Sequence, residues 1–118
     1  MPLSGQPSAL YHREGNQEDF LVLAGECLLL VEGEERQLRA GDFVHCPPGT
    51  DHVFVGAGET DCAILAIGTR SGGGVVYPFA EVARRHGAGV EQETASSDEA
   101  YAGFPKPVPA AFRPEWLR

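Results

Sequence analysis

The sequence predicts an all-β domain, a small barrel or sandwich, followed by a short helical segment and an extended tail. Three observations carry that prediction. Between residues 8 and 70, short apolar runs alternate with turn residues at close spacing, the punctuation of a β meander. Several runs, such as Phe20-Leu21-Val22-Leu23 and Cys27-Leu28-Leu29-Leu30-Val31, are apolar on both faces, which suits a barrel, a sandwich or a strand covered by a partner. After Ser71-Gly72-Gly73-Gly74 the alternation stops and a helical spacing takes over. The expected organisation is a β-barrel over residues 1–70. Residues 71–118 then form a glycine-rich linker, a short helix and a tail that packs on the barrel or on a partner subunit.

Taken in order, residues 8–13 read as a strand, and Glu14-Gly15-Asn16-Gln17 as a turn in which Gly-Asn can take positive φ. Residues 18–24 form the next strand, Gly25 lets the chain bend, and residues 26–31 continue as a strand. Glu32-Gly33-Glu34 is a tight hairpin turn returning through residues 35–39. Ala40-Gly41-Asp42 turns again before a short strand over 43–46. Pro47-Pro48-Gly49-Thr50 breaks the pairing, because two prolines lack N–H donors. Strands follow at 52–55 and 61–69, separated by Gly56-Ala57-Gly58-Glu59. Beyond the glycines, residues 79–86 have helical spacing, with Arg84-Arg85-His86 suiting the negative helix end and Gly87 placed as a C-cap. Ser96-Ser97-Asp98-Glu99 can start a second short helix. Phe104-Pro105-Lys106-Pro107-Val108-Pro109 reads as an extended arm, with an aromatic-tipped tail over 112–117.

A chain of 118 residues with 42% hydrophobic and 22% charged residues is expected to be one soluble domain with a true core. No apolar stretch approaches the roughly 20 residues that span a membrane, and the N-terminus does not read as a signal peptide, so a cytoplasmic location is expected. A net charge of −8 argues against nucleic-acid or anionic-membrane partners, which need a basic surface. Cys27, Cys46 and Cys62 are an odd set without CxxC spacing and read as buried reduced thiols.

The polar residues that interrupt this apolar pattern carry the chemistry. Residues two apart on a strand face the same side, so His12 and Glu14 project together. Glu18 opens the next strand after a short turn, and His52 follows the proline turn on a later strand. In a closed barrel all four could point into the lumen. Two imidazoles and at least one carboxylate form a ligand set for a divalent transition metal such as Zn, Fe, Mn or Ni. His45, flanked by Val44 and Cys46, could line the pocket as an acid or base near neutral pH. Tyr11 is expected to face the opposite side of its strand from His12.

These residues resemble the two motifs of the cupin superfamily. The first, HxH(x)3–4E(x)6G, is similar to His12-Arg13-Glu14, then Glu18 and Gly25. The second, G(x)5PxG(x)2H(x)3N, is similar to Gly41, Pro47-Pro48-Gly49 and His52. Three positions depart: the second histidine is Glu14, the glycine that opens the first motif is missing, and the final asparagine is Gly56. The resemblance implies a double-stranded β-helix, or jelly-roll, barrel with His12, Glu18 and His52 as metal ligands. It puts Glu14 at a ligand position with a different side chain, either a fourth ligand or a general base.

The function expected on this basis is a small metal-binding protein that takes a small polar molecule in its barrel. Catalysis would use Glu14 or His45 to move a proton, in an isomerase or lyase, or would use Fe(II) in a dioxygenase. A non-enzymatic binding or sensor module and a structural oligomer with a vestigial pocket are the alternatives. Under each, the apolar outer faces suggest a homodimer.

Overall fold

The computed structural model describes residues 6–59, 61–69 and 74–104. The meander read from the sequence is present as β1 (Arg13–Glu14), β2 (Glu18–Ala24), β3 (Glu26–Val31), β4 (Glu34–Arg39), β5 (Phe43–Cys46), β6 (His52–Gly56) and β7 (Ala63–Gly68). A further strand, β8 (Val75–Val76), and two single-turn helices, α1 (Glu81–Arg84) and α2 (Ser97–Ala100), follow. Among the described residues, no helix is long and apolar enough to cross a membrane.

The strands form antiparallel sheets in the orders β5-β2-β7, β4-β3-β6 and β1-β8. The alternating faces of the two larger sheets enclose a core of Phe20, Val22, Cys27, Leu29, Cys46, Phe54 and Cys62. This is the jelly-roll barrel, and its interior is packed with side chains. The second apolar face of β3 and β6 is covered from within the chain. Leu30, Val53 and Val55 pack against Tyr11 and against Val82, Ala83 and Ala88 in and beside α1. Tyr11 thus faces away from the interior, as strand alternation requires. The outer face of the β5-β2-β7 sheet is different: Phe43, Leu65 and Ile67 are exposed there.

Three features differ from the sequence reading. The expected strand over 8–13 is not continuous. Pro7 and His12 make isolated bridges to Val55 and His52 at its two ends, while the Tyr11 amide turns outward to the Ala88 carbonyl. The expected helix over 79–86 is one turn long, because Ala80 is extended and supplies no side-chain cap. Finally, β8 lies beyond the expected barrel boundary at residue 70, yet pairs with β1 through Arg13↔Val76 and Glu14↔Val75. Two residues after a glycine run carry no visible period, so this strand left no sequence signal. Most of the glycine-rich break, the proline-rich arm after Phe104 and the aromatic tail lie outside the described residues.

Candidate metal centre

Two distant segments are joined at His12 and His52. Each residue donates its amide to the other's carbonyl, at 3.2 Å for His12 N and 2.9 Å for His52 N. Residues paired across antiparallel strands project to the same face, and the two rings lie 4.7 Å apart between centroids. Glu18, at the start of β2, reaches the same place from the opposing sheet. One donor atom from each of His12, Glu18 and His52 lies within 4.8 Å of the others. The barrel therefore brings together three of the four residues expected as ligands.

The turn before β6 explains how His52 is held. Gly49 takes φ +83, which suits glycine, and donates its amide to the Glu14 carbonyl at 2.7 Å. Both the amide and the hydroxyl of Thr50 return to the Pro47 carbonyl. The Thr50 carbonyl then accepts a hydrogen bond from His52 Nδ1 at 2.8 Å. On the other side, the Leu10 carbonyl accepts from His12 Nδ1 at 2.7 Å. A carbonyl can only accept, so both rings carry hydrogen on Nδ1. In the neutral form each presents the bare Nε2 lone pair to the site, the orientation that metal-binding imidazoles need.

His52 Nε2 faces Glu18 Oε1 at 3.0 Å. That spacing suits an ion pair if the ring is charged, but Glu18 Oε1 is buried and receives no hydrogen bond among the described residues. A lone pair and a carboxylate oxygen pointing at each other repel, and a buried oxygen without a donor costs about 1–3 kcal/mol or more. A cation between them removes both penalties. Two imidazole nitrogens and one carboxylate oxygen also match the donor set used for divalent first-row metals. The residues present therefore fit a metal ion.

Glu14 stands one contact out. Its Oε1 lies 3.2 Å from His12 Nε2, and its side chain is 29% exposed. It touches the trio through His12, at the wetter edge of the site. Cys46, which pairs with Glu18 in the β2–β5 register, is pushed up to about 11 by burial and then by the Glu18 charge. It remains a neutral thiol at neutral pH.

The expectation that His45 lines the pocket is corrected. Register pairs Glu18 with Cys46 and Asp19 with His45, so Glu18 and Cys46 face inward and His45 faces out. The His45 side chain is 50% exposed and bonds Asp19 through Nδ1. That contact holds the Asp19 carboxyl below its usual range.

Sequence reasoning missed a support behind His12. The Leu10 amide donates to Tyr101 Oη at 3.1 Å, from just after α2. The Tyr77 ring lies 6.1 Å from that of His12, and Tyr77 packs edge-on against Tyr101. Residues after the glycine run thus anchor the segment that orients His12.

Comparisons with known proteins follow this geometry. Residues 3–68 match the family model described as Cupin domain. Among solved structures, the chain is similar to a sugar phosphate isomerase of the cupin superfamily from Silicibacter pomeroyi, at 26% identity and a TM-score of 0.56, over 63% of this chain and 48% of that one. It is similar to a predicted oxalate decarboxylase from Thermotoga maritima, at 28% identity and a TM-score of 0.53, over 58% of each chain. It is also similar to a DMSP lyase from Ruegeria pomeroyi, at 26% identity and a TM-score of 0.51, over 64% of this chain and 38% of that one. The chain thus spans about half the length of the isomerase and less than two thirds of the other two. No curated protein matches the chain.

Proposed function

The chain belongs to the cupin family, and from that premise we propose that it is a metal-dependent enzyme that moves a proton on a small polar molecule, as an isomerase or lyase does. One observation carries the reading: two Nε2 lone pairs converge with a buried Glu18 oxygen that has no donor. His12, Glu18 and His52 would hold the ion. When bound, a divalent ion supplies Lewis acidity, polarising a substrate oxygen. Fixed by the Leu10 and Thr50 carbonyls, the imidazoles need not reorganise. Glu14, a carboxylate at the open edge and 3.2 Å from His12 Nε2, would take or return the proton. That second carboxylate favours proton transfer over dioxygenation. The names of the similar structures, a sugar phosphate isomerase, an oxalate decarboxylase and a DMSP lyase, support a small polar substrate.

Elemental analysis of the purified, metal-loaded protein beside His52→Ala tests the reading. We expect near-stoichiometric divalent metal in the wild type and its loss in the variant. A wild type that takes up no metal, with thermal stability unchanged by chelator, overturns it. Screening the loaded protein for turnover of sugars and keto acids then separates an enzyme from a binding module. Tight binding without turnover would favour the module.

The second part of the reading is a homodimer. Its support is the uncovered outer face of the β5-β2-β7 sheet, where Phe43, Leu65 and Ile67 are exposed.

A further inference from the structure

The two ends of the barrel carry different chemistry. Val31 pairs with His52 at one end of β3, and Cys27 pairs with Gly56 at the other. Cys27 therefore lies at the end opposite the candidate metal centre. Cys62 reaches the same end from the loop that leads into β7. The β2–β7 register sets Ala24 against Ala63, which brings Cys62 alongside Gly25, two residues before Cys27. The approach is close: a Cβ on Gly25 would stand 3.0 Å from the Cys62 Cα. Both sulfurs belong to one buried cluster, and the two thiols hydrogen-bond each other. Cys27 also lines a cavity of about 400 Å3 with Glu26, Gln37, Leu38, Arg39, Asp42 and Ala57. That cavity gives a small reagent a route to Cys27.

We infer that Cys27 and Cys62 form a redox-active dithiol that closes to an intramolecular disulfide with a small diffusible oxidant, a peroxide or a diazene. Both S–H bonds break and one S–S bond forms. Two electrons and two protons pass to the oxidant, giving two waters from hydrogen peroxide or the hydrazine from a diazene. Access assigns the roles within the pair. Cys27 lines the cavity, whereas Cys62 is fully buried behind it. Cys27 is therefore the sulfur that meets the oxidant, and Cys62 closes the disulfide. The third thiol, Cys46, lies beside Glu18 in register, next to the metal centre, and takes no part. The inference is independent of the metal reading.

Diamide, a diazene that spares methionine, is the probe for the full-length reduced protein. Intact mass should fall by about 2 Da, and the thiols titrated under denaturing conditions should fall from three to one. Peptide mapping should link Cys27 to Cys62. Cross-linking a segment of this length should raise Tm by roughly 5–15 °C, reversibly with dithiothreitol. Cys46→Ala should behave as wild type, and Cys62→Ser should lose the mass change. Three surviving thiols, a link that includes Cys46, or a purely intermolecular product in the wild type would each overturn the inference, whatever the variants do.

Discussion

At the scale of single residues, Glu18 is the telling one. A buried carboxylate oxygen without a donor destabilises the metal-free fold and is satisfied when a cation binds. Glu18→Gln should therefore act in opposite directions on the two forms. In chelator, the variant should be as stable as wild type or more so, by about 1 kcal/mol in urea titrations. With metal, it should lose at least about tenfold in affinity by calorimetry. The trio was legible in the sequence because strand periodicity and motif spacing fix where His12, Glu18 and His52 project. The orientation of His45 was not. Val44 and Cys46 flank it with apolar side chains, so the local pattern does not say which set faces inward, and only the register with β2 decides. Tyr101 was also illegible, since its hydrogen bond to Leu10 spans 91 positions. Tyr101→Phe should leave the Leu10 amide unpaired and cost about 1–3 kcal/mol in denaturant titrations. It should weaken metal binding as well, through the Leu10 carbonyl that orients His12.

At the scale of elements, the corner between β2 and β3 is the tightest point. Gly25 has φ +75, and a Cβ there would meet the Asp61 carbonyl oxygen at 2.5 Å. Gly25→Ala combines backbone strain with a backbone clash, and should lower unfolding free energy by about 2 kcal/mol or more. The sequence showed the bend but not the crowding, because Asp61 comes from the distant loop that leads into β7. The segment after α1 is tied to β4 by His86 and Arg85 on Glu35. The His86 hydrogen bond is the main cause that lowers the Glu35 carboxyl from its ordinary 4.5. A carboxyl lowered in the fold contributes stability above its unfolded value and loses it as pH falls through the folded value. Between pH 5 and 3, the urea midpoint of the wild type should therefore fall more steeply than that of Glu35→Gln.

At the scale of the whole molecule, the two sheets are finished differently. One outer face is covered by α1, and the other leaves Phe43, Leu65 and Ile67 exposed. The sequence showed that the strands were apolar on both faces, but could not separate a face covered by the chain's own helix from one left open. If the open face holds a second copy, Ile67→Lys should convert a dimer to a monomer in sedimentation velocity with the metal content unchanged. A wild type that sediments as a monomer would remove the dimer from the reading.

The pairing of β1 with β8, together with the Tyr101 support, sets a limit on modularity. The family match ends at residue 68, but the strand that carries Glu14 has its partner at Val75–Val76, and the peptide that aims His12 hangs from Tyr101. A protein cut at the edge of its recognisable module would keep every proposed ligand and lose the scaffold that aims one of them. Grafting or recombining this barrel would have to carry the sequence through residue 101. Substitutions in that poorly patterned segment should also change metal affinity as readily as substitutions near the ligands.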